Sequence, residues 1–486
     1  MKKSNLFIAI FFLVLLTRAI SHYFFKTGYF DQFFFDNPLW NTARGQFFHV
    51  SIPDVNGQNL LGGHFTPILL LFSLPYLITP SPLWMFAIQA AFVAGLAVVI
   101  YRFAEVNLEK SERNLVLVLL LTSVTFRSMW FNDFHPDIIL SFLTAWALYT
   151  LLAKNRPGQA ALIILSGFLV KEVAGFIITG FGLYYLMFRK EKALGGLMLI
   201  VGIAGTALIS QEIIPRFNNS GTFIFSSYYS HFGKTIYEQI LNIIIHPINT
   251  ISFLFSPANL GYLGLLFIPL AGLPWLYPRL LMVGSVNLAV NLLSNYRFQK
   301  DFTTQYSYVI LPVIFFALVL AIKSLKEKGV WPRVWKFSRP IIYFFIGLSL
   351  ISFLLLNLRF YIPSPQYPTA HKIIRLIPPA AAVSASDHLL VHLQYRDHLY
   401  RFPEVANAEL VLFEDIDWWY FNEPGDDVAK VKKLWAQKNY GRIMRLIFLG
   451  EGLPDRDYAH AIQTFRQNTN FRLITAESGI FLYGRQ

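Results

Sequence analysis

Four stretches, residues 6–16, 82–100, 194–209 and 341–356, approach the length needed to cross a bilayer and carry almost no charge. A helix needs about 20 mostly apolar residues to span the hydrocarbon layer, where no water is present to satisfy an exposed backbone amide. Of 486 residues, 55% are hydrophobic and only 14% charged, and the mean hydropathy is +0.47. A water-soluble core of this length could not hide so much apolar surface, so lipid is the solvent of this fold.

The net charge of +13 does not point to nucleic acid. The basic residues fall in short loops between apolar runs rather than along one soluble stripe, which is the pattern that sets membrane orientation. The chain has no cysteine, which excludes disulfides and thiolate metal sites and suits an outward-facing domain without requiring one. Residues 1–20 combine a basic start with an apolar run, but no small-x-small cleavage site follows, so they are read as the first span.

Placing the basic loops inside gives a thread through the membrane. Lys2 and Lys3 start inside, residues 28–65 lie outside, and a span at 83–101 returns to Arg102, Lys110 and Arg113. Spans at 114–130 and 137–152 follow. Residues 160–188 are then divided into two short spans by Lys171 and Glu172, placed at the outer turn. Beyond the span at 194–209, residues 211–234 lie outside and 235–255 read as an amphipathic surface helix. Further spans are expected at 262–275, 280–293, 306–322 and 341–356, with the basic loop 323–339 inside and a half-helix at 67–78. The expectation is a polytopic α-helical protein of about eleven transmembrane helices over residues 1–360, with a first outer loop at 26–66. A small soluble α/β domain is expected over 361–486, with strands at 382–384, 410–413, 446–449 and 479–483 and a helix at 427–437.

Ionisable groups in or beside spans are costly unless they meet water or a partner, so each is a functional candidate. The thread brings Asp31, Asp36, His64, Arg127, Asp133, His135, Asp137, Lys171 and Glu172 to the outer side. Asp31 and Asp36 lie five residues apart among aromatics and would not share one helix face. Each is either a base or a helix cap. His64 sits in a tight Gly-Gly-His turn, either structural or functional. Asp133 and His135 stand two residues apart at the mouth of a span, whereas Asp137 reads as the cap of the helix that Pro136 begins. Asp31, His64, Asp133 and His135 are candidate ligands for a divalent metal, although their spacing matches no strong metal motif and the reading does not require one. Lys171 and Glu172 either neutralise each other or serve function, Lys171 on a phosphate and Glu172 on an acceptor or metal. Arg297 and Lys300 are read either as cations for an anionic head group or as snorkelling residues. In the tail, Ser384-Ala-Ser386-Asp387-His388 is too contiguous for a catalytic triad and reads as a capped strand-to-helix turn.

Several of these segments together resemble a family of bacterial and archaeal predicted membrane proteins related to the GT-C glycosyltransferase superfamily. The resemblance is carried by Asp31 through Asp36 to Leu39-Trp40-Asn41 and Gly45, by Asn59-Leu-Leu-Gly-Gly-His64-Phe-Thr-Pro67, by Asp133-Phe-His135-Pro136 and by Val170-Lys171-Glu172. It covers the first 200 residues well and the rest more loosely. Asn37 stands where the family has glutamine and Gln32 where it often has leucine, and both departures leave Asp31 and Asp36 intact. The resemblance implies an acidic catalytic base in the first outer loop, Asp31 first and Asp36 second. It also implies a sugar donor on a polyprenyl phosphate, with Lys171 or Arg127 stabilising the leaving phosphate. The expected function is transfer of that sugar to an acceptor at the outer face of the membrane, with the N-terminus cytoplasmic and the tail domain outside. The alternative is a transporter or flippase for a lipid-linked or other amphipathic anion, which would place its polar groups near the bilayer midplane on broken helices. A third reading is a scaffold whose spans only anchor an exported domain.

Overall fold

The computed structural model describes residues 3–26, 30–53, 55–363, 366–414 and 456–486. The chain divides into two compact units. The first comprises Met1–Leu15, Asn59–Phe72 and Trp84–Leu350, and the second Leu16–Gln58, Ser73–Leu83 and Ile351–Gln486.

Helices dominate the first unit, and many are short. In the whole chain, four helices among the described residues are long and apolar enough to cross a membrane: Lys3–Tyr23, Leu83–Asn107, Lys192–Arg216 and Trp331–Leu355. Counting two bent pairs as spans gives six. Lys110–Thr122 with Val124–Phe131 is bent by 52°, and Pro247–Leu254 with Pro257–Leu270 by 50°. The expected count of eleven is thus not reached by length alone. Asp137–Leu152, Ala174–Phe188 and Pro278–Leu293 are apolar but shorter.

Two expected boundaries shift for identifiable reasons. The surface helix expected at 235–255 breaks at Pro247 into Ile236–Ile245 and Pro247–Leu254, because proline cannot donate inside a helix. Thr235 caps the first piece by accepting the Glu238 amide at 3.2 Å. The basic loop expected at 323–339 is mostly helix, with Leu311–Glu327 running into it and a new helix starting at Trp331. Trp331–Ser352 begins with Pro332 in its first turn, where the absent N–H costs nothing, and carries Arg333, Lys336 and Arg339 along it.

The Leu311–Glu327 helix is buried on every side from Leu311 to Val319 and forms the core of its surroundings. Beside it, small residues let helices approach closely. A Cβ on Gly180, in Ala174–Phe188, would lie 1.9 Å from the Val283 carbonyl oxygen of Pro278–Leu293. A Cβ on Gly202 would lie 2.9 Å from the Gly175 carbonyl oxygen, and one on Gly182 2.7 Å from the Leu199 nitrogen. This packing of glycines against backbone is how apolar helices associate where hydrophobicity cannot drive them together.

The second unit is built on a five-stranded sheet: β1 (Val383–Ala385), β2 (Leu399–Arg401), β3 (Leu410–Glu414), β4 (Phe471–Glu477) and β5 (Ile480–Arg485). Their order is β2-β1-β3-β5-β4, parallel from β2 to β3 and antiparallel from β3 to β4. The strands expected at 382–384, 410–413 and 479–483 are present as β1, β3 and β5, and β2 and β4 add two strands beyond that expectation. The expected strand at 446–449 and helix at 427–437 lie outside the described residues.

The expected domain boundary at 360/361 needs correction. Phe25, Phe33, Val50 and Ile52, from the first loop, share one hydrophobic core with Ile373, Val383, Leu390, Leu412 and Leu482 from the tail. The loop helix Phe30–Ala43 buries most of its residues, and no sheet of this size could bury its apolar face without such a cover. The turn at 384–388 forms as expected, with helix Asp387–Leu390 following β1, but Ser386 does not cap it by its side chain. Its hydroxyl donates to Glu414 at 2.5 Å, while Asp387 accepts two bonds from Arg401 at 2.6 Å. Burial pushes the Glu414 carboxyl up to about 7 despite that hydrogen bond.

Candidate active site

The break in the apolar run at 160–188 is the centre of the site. Helix Pro157–Leu165 ends in a tight turn, Ser166–Leu169, and a new helix starts at Ala174, so Lys171 and Glu172 lie in the gap, each 2% exposed. They do not neutralise each other. The Lys171 ammonium donates to the Asp137 carboxylate at 2.7 Å, and the Glu172 carboxylate meets His64 Nδ1 at 2.9 Å. The other Glu172 oxygen accepts the Phe65 amide at 3.1 Å. Asp137, expected only to cap its helix, is therefore the partner that makes the buried lysine tolerable. A paired, hydrogen-bonded charge is the form in which an ion survives in an apolar interior.

These four residues help line a cavity of about 720 Å³, a volume that includes open space at its mouth. Part of the lining is aromatic and adjoins His64. His64 stacks on Phe225 with ring centroids 4.8 Å apart and planes 7° apart, and Phe225 packs edge-on against Phe223 and Tyr228. The polar lining also includes three amides, Asn287, Asn291 and Gln299, and the hydroxyl-bearing Thr206, Tyr228, Tyr229 and Tyr306. Asn287 and Asn291 lie four residues apart in the largely apolar Pro278–Leu293 helix, so they share one face. The sequence reading passed over them, although polar side chains inside an apolar run are the signal that singled out Lys171.

The remaining candidates lie away from this cavity. Arg127, Asp133 and His135 are buried in the same unit, at 5%, 4% and 7% exposure, but do not line it. The segment carrying them is tied down by Asn132, which donates to the Thr303 carbonyl at 2.8 Å, and by Thr125, which donates to the Phe302 carbonyl at 2.7 Å. Arg297 lies over Phe298 and Lys300 over Phe253, each within 5 Å of the ring centre, while Gln299 between them faces the cavity. Among the described residues, no three His, Asp or Glu side chains converge to hold a metal, so the set Asp31, His64, Asp133 and His135 is not assembled as one group.

The two loop aspartates, in the second unit, have opposite environments. Asp31 is partly exposed in the first turn of Phe30–Ala43, where a negative charge suits the helix dipole. Asp36 is fully buried. It accepts from Tyr76, from Gln394 at 2.7 Å and from Tyr395 at 3.1 and 3.2 Å. Burial pushes its carboxyl up to about 6 against the pull of these donors. Both oxygens are occupied and no solvent reaches them, which fits a fastening role rather than a base. Next to it, Asn37 donates to the Gln394 carbonyl at 2.7 Å and to Ser51 Oγ at 3.0 Å.

The fold has a solved counterpart. ArnT from Cupriavidus metallidurans, in a crystal structure bound to undecaprenyl phosphate, aligns with a TM-score of 0.50 and 12% identity, over 99% of this chain and 97% of that one. The similarity is one of fold. No curated protein sequence matches significantly. The family described as "Predicted membrane protein (DUF2079)" matches residues 21–444, and this chain belongs to it.

Proposed function

We propose that the protein is a membrane glycosyltransferase that takes a sugar from a polyprenyl-phosphate-linked donor and passes it to an acceptor at the outer face of the membrane. The observation that carries this reading is the cavity at Lys171, Glu172, His64 and Asp137, which combines buried charge with apolar walls in a fold shared with a protein seen bound to undecaprenyl phosphate. A lipid-linked donor asks for that combination, since its tail stays in hydrocarbon while its head needs polar partners.

In this reading the acceptor hydroxyl attacks the anomeric carbon and the bond from that carbon to the phosphate oxygen breaks. The hydroxyl proton passes to a carboxylate, and the polyprenyl phosphate leaves with an added negative charge. Asp31 keeps the role of base that the resemblance implies. Asp36 and Glu172 become positioning groups, because their oxygens are already engaged. Arg297 and Lys300, flanking Gln299, attract the anionic head group and the leaving phosphate, while Lys171 and His64 stay paired with Asp137 and Glu172 and hold the cavity's shape.

The test is transfer of radiolabelled sugar from polyprenyl-phosphate donors in membranes holding equal amounts of wild type, Asp31→Asn or His64→Gln. Wild-type transfer with at least a hundredfold loss in Asp31→Asn is expected. Transfer no greater than in empty membranes across a broad donor panel would sink the proposal.

A further inference from the structure

The cavity's charges balance, and its remaining hydrogen-bonding capacity is neutral. Lys171 is engaged by Asp137 and Glu172 by His64, so each cation and carboxylate lining the cavity already has a partner of the opposite or complementary kind. What the cavity offers beyond them is neutral: the hydroxyls of Thr206, Tyr228, Tyr229 and Tyr306, and three amides. Asn287 is 6% exposed, and its side chain forms no hydrogen bond with any described residue. Gln299 accepts the Tyr229 hydroxyl at 3.3 Å with its carbonyl, leaving its N–H groups to the cavity. Asn291 donates to Tyr262 at 3.2 Å and to the Tyr306 carbonyl at 3.0 Å, leaving its carbonyl oxygen.

An amide buried without a partner is costly, and once a ligand displaces water from the cavity its three amides are satisfied together only if that ligand has many groups that both donate and accept. Hydroxyls do so. An ammonium ligand would need a spare carboxylate and a carboxylate ligand a spare cation, and either would have to break a buried pair to find one. The aromatic wall of Phe223, Phe225 and Tyr228 supplies the apolar face that the C–H side of a sugar ring packs against. We infer that this cavity is a subsite for an uncharged, hydroxyl-rich sugar, read by Asn287, Asn291 and Gln299, and that it rejects amino sugars and uronic acids. The inference rests on the glycosyltransferase reading and names the donor class for it.

The test is binding to the purified full-length protein in nanodiscs. The probes are undecaprenyl phosphate alone and the same lipid carrying a neutral hexose, an amino sugar or a uronic acid. The neutral-hexose lipid is expected to bind at least tenfold tighter than either charged-sugar lipid. Asn287→Leu is expected to lower the affinity ratio of neutral-hexose lipid to sugar-free lipid at least tenfold, because a site built to hydrogen-bond a hydroxyl discriminates strongly. Leucine replaces a side chain with no partner to lose, so the variant remains folded, as thermal unfolding verifies. If the lipids bind but the charged sugars compete equally, or the ratio is unchanged in Asn287→Leu, the subsite is wrong and the glycosyltransferase reading stands. If none of the four lipids binds, both fall.

Discussion

Lys171 and Asp137 meet at 2.7 Å with side chains only 3% and 4% exposed, so neither can lose its partner and turn to water instead. Lys171→Met is therefore expected to cost about 3–5 kcal/mol, chiefly because it strands Asp137. Adding Asp137→Leu should recover most of that loss, and thermal unfolding of the two single variants and the double variant measures the coupling. Asp36 gives a pH signature of its own. Its folded value of about 6 lies above the ordinary 3.8, so the folded state binds the proton more tightly. Its contribution is most favourable below pH 4 and is lost as pH rises to 6, by up to about 3 kcal/mol at about 1.4 kcal/mol per pH unit. Glu414, at about 7 against 4.5, acts in the same sense between pH 4.5 and 7. The stability of wild type relative to Asp36→Asn should thus fall between pH 4 and 6 in thermal unfolding across that range, and a difference independent of pH would refute the assignment. The prominence of Lys171 and Glu172 was legible in the sequence because two charges interrupt an apolar run. Their partners were not, since Asp137 and His64 are 34 and 108 residues away and only folding decides which carboxylate meets which cation.

At the level of elements, the cavity depends on how closely three helices approach. Gly180 has the Val283 carbonyl where a Cβ would stand, and a backbone oxygen cannot move aside as the end of a flexible side chain can. Gly180→Val must therefore push apart Ala174–Phe188 and Pro278–Leu293, the second of which carries Asn287 and Asn291. A loss of at least about 2–3 kcal/mol is expected, together with lower folded yield by size-exclusion chromatography. Gly196 is the control. It lies within Lys192–Leu208 with nothing inside 4 Å of its added Cβ, so Gly196→Ala should be neutral or stabilise by up to about 1 kcal/mol. Hydropathy located these helices to within a few residues, because apolar length is written locally in the chain. It could not show where helices bend, as at Ser123 between Lys110–Thr122 and Val124–Phe131, nor that the 30–43 segment is a buried helix of the sheet unit, since Phe33 and Ile52 find their partners in the tail.

For the molecule as a whole, the first loop and the tail depend on each other. Gln394 and Tyr395 hold Asp36, Gln394 also receives Asn37, and Arg44 pairs with Asp397 at 2.6 Å. Ending the chain at residue 361 would strip the loop helix of these partners and of most of its core, so the truncated protein should show rapid proteolysis at residues 30–58 where the full chain resists. The membrane orientation proposed from the basic loops is open to a direct test, because the chain has no cysteine and each one introduced reports alone. Ser220, Glu409, Lys190 and Lys328 are all exposed, so replacing them leaves the packing intact. With the N-terminus inside, Ser220→Cys and Glu409→Cys should react with a membrane-impermeant maleimide in intact cells. Lys190→Cys and Lys328→Cys should react only after permeabilisation, since the arginine and lysine clusters around them favour the cytoplasmic side. Labelling of Glu409→Cys only after permeabilisation would put the sheet unit, and with it Asp31, on the inner side, and the acceptor would then have to be cytoplasmic.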